Sequence, residues 1–173
     1  MNSFSGKVLF LNRSDINTDE IIPAKYLTEI SKEAMAPHLL EDLVLKGFDP
    51  ADIKNCQVVV TRDNFGCGSS REHAVWALEA NDIRLVIAPS FARIFRQNTY
   101  NCGLLAVELA ADEIDQIFNE FAGRPTELTA DLNTNTFTLT AEGRKKTIDF
   151  TISGFDRDLV KAGGWVEYAD ANY

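Results

Sequence analysis

The chain has 173 residues, 45% hydrophobic and 25% charged, with 17 Lys and Arg against 26 Asp and Glu for a formal charge of −9. That apolar content excludes disorder, and 10 Gly with 5 Pro exclude a collagen-like or linker-like chain. The acidic balance argues against nucleic acid and anionic membranes as partners, since both call for a net basic footprint; local basic spots still admit an anionic small molecule.

The first apolar run, Val8–Leu11, is too short for a signal sequence and far short of the ~20 residues of a membrane span, so a soluble cytoplasmic protein is expected. Nothing along the chain reads as a repeat, a linker or a low-complexity tract, so residues 1–173 are taken as one domain. Lys7–Leu11 predicts a first strand, and Asn12–Lys25 reads as polar and irregular. Ser31–Lys46 has helical spacing interrupted by Pro37, which predicts a broken helix. Cys56–Thr61 and Ile83–Ala88 are buried strands by their β-branched runs. A helix is expected from Phe91 to Asn101, with Gly103 past its end, then a strand at Leu104–Leu109 and a helix at Asp112–Phe121 capped by Asp112 or an upstream residue. From Thr126 to Ser153 a Thr-rich alternation with a turn at Glu142-Gly143 predicts an antiparallel meander. The class is α/β.

Chemistry concentrates in one segment, Asn64-Phe65-Gly66-Cys67-Gly68-Ser69-Ser70-Arg71-Glu72. The Ser69-x-x-Glu72 spacing is that of a capping box, so Ser69 is expected at the N-cap of the helix that follows. Two glycines let the backbone approach a ligand closely, and a helix start attracts anions. Two hydroxyls and the Arg71 guanidinium suit a carboxylate, which arginine grips bidentately. The plainer alternative is that Ser69 only caps a helix and Arg71 only decorates its first turn. The segment lacks the Lys-Ser/Thr of a phosphate loop and is not a Gly-x-Ser-x-Gly elbow, so neither nucleotide binding nor serine hydrolysis is indicated. His73 suits a packing or supporting role better than that of a base for Ser69, and His38 reads as exposed or satisfied. Cys56, Cys67 and Cys102 are an odd number, far apart, which fits a reducing compartment and burial better than a disulfide frame or a cluster.

The segment through Ala74 resembles the signature of the aconitase-type hydro-lyases, in particular the small-subunit family of the 3-isopropylmalate dehydratases. The likeness extends over Asp15-Ile16-Asn17-Thr18-Asp19-Glu20-Ile21-Ile22-Pro23, Tyr26-Leu27, Ile87 to Phe95 and Asn101 to Leu105, in the family's order. The resemblance implies a three-layer β/β/α swivelling domain that closes over a site on a separate large subunit. That partner would carry a [4Fe–4S] cluster, leaving this chain without a metal or cofactor of its own, and the pair would form a hetero-oligomer acting on a small dicarboxylate. It further implies Ser69 as the base for the substrate C–H proton, Ser70 and Arg71 as holders of a carboxylate, and Asp19 as support for an acid–base histidine of the partner. Tricarboxylate-handling relatives carry an arginine after the Tyr-Leu step; here Thr28 stands in Tyr26-Leu27-Thr28-Glu29-Ile30, which makes Thr28 a candidate specificity residue and favours an alkyl-bearing substrate. Other alkylmalates, homoaconitate and aconitate are the alternatives within the class. A non-catalytic anion-binding module is the alternative outside it.

Overall fold

Four apolar runs become the parallel half of a sheet. In the computed structural model, which describes residues 4–173, β1 (Gly6–Leu11), β2 (Cys56–Thr61), β3 (Leu85–Ala88) and β4 (Leu105–Glu108) lie side by side and parallel. Their register aligns Val8, Val58, Leu85 and Leu105 across the sheet. Helices cover this half, so its strands are continuous hydrophobic runs; all of β3 is buried. Each such side chain contributes roughly 1.5–3 kcal/mol when withdrawn from water.

The meander follows as β5 (Glu127–Asp131), β6 (Thr136–Ala141) and β7 (Arg144–Asp149), paired antiparallel. Leu128, Phe137, Leu139 and Ile148 point inward, while the intervening threonines and lysines are wholly or partly exposed. A short ladder, Gly6 opposite Leu128 and Lys7 opposite Glu127, joins the halves into one seven-stranded sheet ordered β4-β3-β2-β1-β5-β6-β7. The two β halves are hydrogen-bonded into one curled mixed sheet with helices packed on it, and the expected α/β swivelling architecture stands.

The helices are α1 (Thr18–Ile21), α2 (Glu72–Ala80), α3 (Arg93–Asn101), α4 (Ala111–Phe121), α5 (Gly154–Ala162) and α6 (Trp165–Asn172). Several differ from the sequence reading. Residues 12–25 are not irregular throughout: Asn17 accepts from the Glu20 amide while the Glu20 carboxylate accepts from the Asn17 amide, a reciprocal cap that starts α1. The broken helix at 31–46 contracts to a 3₁₀ turn, Glu33–His38, because Pro37 within it lacks the donor an α-helix needs there. The head of α4 carries no side-chain cap; Asp112 lies inside its first turn. Two helices succeed the meander, where the sequence reading ended in strands. Ser153 caps the first of them through the Asp156 amide, and Gly163 ends it in the left-handed region. The Gly163 carbonyl lies against Gly103, where a Cβ would sit 2.4 Å from it, so α5 docks on the turn after α3. Among the described residues, no helix is long and apolar enough to cross a membrane.

Candidate functional site

Ligand crevices of α/β sheets lie outside the carboxyl ends of the parallel strands. The loops leaving β1, β2 and β3 meet at that end. The Gly66 amide donates to Ile16 O at 2.8 Å, and the Thr18 amide donates to Cys67 O at 2.9 Å. The Ala92 amide donates to Phe65 O at 3.0 Å, which seats the head of α3 beside the same turn. Gly66 has φ +82°, and a Cβ there would lie 2.2 Å from the Phe95 ring, so both conformation and space demand glycine.

These contacts displace Ser69 from the role its spacing suggests. The Thr18 hydroxyl donates to the Ser69 carbonyl at 2.7 Å, holding residues 67–69 against the 17–18 segment. As a result α2 begins later, with Arg71 as its N-cap and no side-chain cap at all. The capping box at Ser69 is thus a correction: a long-range tether wins over a local signal. Glu72 instead accepts weakly from the Cys102 thiol. Both serines are exposed, and neither hydroxyl has an intramolecular partner among the described residues. The unpaired amides at the head of α2 lie just beyond them.

Asp19 and Arg71, far apart in sequence, form an ion pair through a carboxylate oxygen of Asp19 and Nη1 of Arg71. Asp19 is mostly exposed and Arg71 largely covered. Among the described residues the other guanidinium donors of Arg71 are not engaged, so it keeps the capacity to fork a second carboxylate. Behind them, Arg13 pairs with both oxygens of Glu20; that hydrogen bond raises the Arg13 pKa and holds Glu20 below the usual glutamate range.

Thr28 joins the group indirectly. Nε2 of His73, on the first turn of α2, lies 3.1 Å from the Glu29 carbonyl, and the His73 ring rests on Trp76. At the other end of the loop, the Tyr26 hydroxyl donates to Glu41 at 2.7 Å, and His38 stacks on Tyr26 while bonding the second Glu41 oxygen at 2.8 Å. Burial pushes Glu41 up, yet the Tyr26 and His38 hydrogen bonds outweigh it and leave Glu41 below its ordinary value. Thr28 sits exposed at the tip, its side chain unbonded among the described residues. The supporting role expected of His73 has a definite form: it ties the Thr28 loop to the serine turn. His38 is satisfied, as expected.

A cleft of about 590 Å³ opens beside Ser70, between Gly66 and Gly68 on one wall and Ala92–Phe95, Gln97 and Asn98 on the other. Its size suits a small ligand. Of the five candidates, Ser70 lines it. The sequence reading passed over Arg93; its place at the head of a helix adjoining the glycine turn was the available signal.

The described residues do not fit an iron–sulfur cluster. Cys56 is buried in β2, Cys67 lies in the glycine turn and Cys102 follows α3, all three free. Among the described residues, no group of three or more His, Cys, Asp or Glu could hold a metal ion. Burial, with the adjacent Glu72 charge, pushes the Cys102 thiol up to about 12, and burial also raises Cys67.

Comparison with known proteins follows the same outline. A family model described as the aconitase C-terminal domain matches residues 44–112. The chain is 43% identical over 162 residues to the 3-isopropylmalate dehydratase small subunit of Deinococcus deserti, spanning 92% of this chain and 83% of that protein. It is 37% identical to the small subunit of the same name from Aromatoleum aromaticum, over 93% of this chain and 83% of that one. Among solved structures, 3-isopropylmalate dehydratase (LeuD) of Methanocaldococcus jannaschii superposes with a TM-score of 0.80 at 34% identity, covering 97% of this chain and 93% of that one.

Proposed function

Because the chain belongs to the family of 3-isopropylmalate dehydratase small subunits, we propose that it is the small subunit of a hydro-lyase interconverting 2- and 3-isopropylmalate in leucine biosynthesis. The observation that carries this reading is the Asp19–Arg71 pair beside two unpartnered serines, at the carboxyl end of a parallel sheet.

Ser69, as alkoxide, takes the substrate C–H proton. The electron pair of that bond becomes the alkene, and hydroxide leaves from the neighbouring carbon as water once protonated. Rehydration with the hydroxyl on the other carbon completes the isomerisation. An ordinary serine is far too weak a base; the Arg71 cation and the amides at the head of α2 favour its ionised form. Ser70 and the free donors of Arg71 hold a substrate carboxylate. Asp19, with most of its carboxylate facing outward, supports an acid–base histidine on the large subunit.

The cleft is open, and Ile30 and Ile94 are 94% and 55% exposed. Ile94 lines the cleft, and Ile30 follows the tethered Glu29. A small dicarboxylate left so open to water would gain little, and apolar side chains around it suit a covering protein surface. The large subunit fills that role and brings the cluster, for which the described residues of this chain hold no ligand set. The segment Tyr26–Ile30 holds no arginine, so a third carboxylate would stay unpaired there, which favours an alkyl group over citrate-like substrates.

The test is co-expression with the adjacent large-subunit frame, followed by a substrate panel. Isopropylmalate is expected to lead over other alkylmalates, homoaconitate and aconitate in kcat/KM. A lead for any of those reassigns the substrate, and no turnover on the whole panel favours a non-catalytic anion-binding module.

A further inference from the structure

We propose that Arg93 binds the second carboxylate of the substrate, opposite Arg71, an inference that rests on the dicarboxylate reading above. Arg93 is exposed at the head of α3 and lines the cleft that Ser70 also lines. Among the described residues its side chain has no hydrogen bond or ion pair, as is also true of Arg144 in the meander, whereas Arg13, Arg62, Arg71, Arg84, Arg96 and Arg124 each contact a carboxylate and Arg157 bonds Asn135. The contrast extends within α3: Arg96 turns to Glu108 and stacks on Tyr100, while Arg93 is left free at the cleft.

The cleft has a sign of its own. In a chain with 26 Asp and Glu, no acidic side chain among the described residues lines it; Arg93, Ser70, Gln97 and Asn98 do, all capable donors. A malate-type substrate carries two carboxylates, each of which must be matched when water is excluded. Arg71 can take one, and Arg93 is the cation that lines the cleft beside Ser70 for the other. Arg93 is held in place for it: the Ala92 amide bonds the Phe65 carbonyl, and Phe95 packs on Gly66, so the first turn of α3 is locked to the serine turn.

The test uses the complex with the large subunit and the variants Arg93→Gln and Arg93→Lys. Arg93→Gln is expected to raise KM for 2-isopropylmalate about 10- to 100-fold, as for loss of a charge-assisted contact, with kcat changed much less, and Arg93→Lys to recover part of the loss. The two monoamides of 2-isopropylmalate supply a readout that mere structural damage would not give. For the monoamide lacking the carboxylate that Arg93 holds, wild type and Arg93→Gln should differ by less than about threefold, well inside the diacid effect. An unchanged KM overturns the proposal, as does an equal loss on the diacid and both monoamides, or a loss confined to the affinity between subunits. A wild-type complex that leaves isopropylmalate untouched overturns the functional reading and this inference together; an active wild type with an unaffected variant overturns this inference alone.

Discussion

The two halves of the sheet are built on opposite terms. In the parallel half, β2 and β3 are almost wholly buried and long connections leave the carboxyl ends of β1 and β2; in the meander, strands alternate inward and outward and turn tightly, as at Glu142-Gly143. Every candidate residue lies in the connections of the parallel half, Asp19 on the short helix α1 and Thr28, Ser69, Ser70 and Arg71 on the loops around it. A rigid, doubly covered scaffold can hold irregular loops in fixed relation, and the meander contributes stability rather than chemistry.

Substitutions in the two halves should therefore separate turnover from stability. Ser69→Ala in the assembled complex is expected to lower kcat by about 10²-fold or more, the range for losing a general base, with the melting temperature little changed because Ser69 caps no helix. Steady-state kinetics beside thermal unfolding checks it; more than about a tenth of wild-type kcat would return Ser69 to a structural role. Leu139→Ala, in the meander opposite Leu128, should do the reverse. It removes a fully buried side chain and should cost about 2–5 kcal/mol by denaturant titration, with kcat per folded molecule preserved.

Within the parallel half the loops differ in what they decide. Thr28→Arg should raise the ratio of kcat/KM for homoaconitate-type over isopropylmalate substrates about tenfold, equivalent to ~1.4 kcal/mol. Equal losses on every substrate would mean that the loop only packs. Asn17→Ala removes the real capping box and should cost ~1 kcal/mol, read by chemical denaturation, with a further loss of activity as Asp19 is freed. The smallest effect is that of acid. Hydrogen bonding to Arg13 lowers the Glu20 pKa in the folded chain, so its stabilisation is present above the ordinary glutamate value and is lost as pH falls through the lowered one. Glu20→Gln should flatten the acid limb of the stability–pH curve; an unaltered limb would show that the pair contributes nothing.

The same contrast explains what could be read from sequence. Val58–Val60, Leu85–Ala88 and the Thr-rich meander announce themselves because strand patterning is local. The serine turn was recognisable by its residues but not by its conformation. Ser69-x-x-Glu72 has the spacing of a cap, yet Thr18, distant in sequence, takes the Ser69 carbonyl and delays the helix. The reciprocal cap that does form, Asn17 with Glu20, had an equally good local signal, masked by the polar run around it. Ser153 and Gly163 were likewise legible as the start and stop of α5. The Asp19–Arg71 pair, and the tether from His73 to Glu29, join segments distant in the chain, and no local pattern encodes them.

The central claim is that these loops complete an active site only with a partner. The most direct measurement adds this chain in increments to the proposed large subunit, reconstituted with iron and sulfide, and follows 2-isopropylmalate turnover. Neither component alone should be active, and the rate should rise with added chain to a plateau. A large subunit equally active without this chain, or a mixture that stays inert with the cluster intact, would contradict the account.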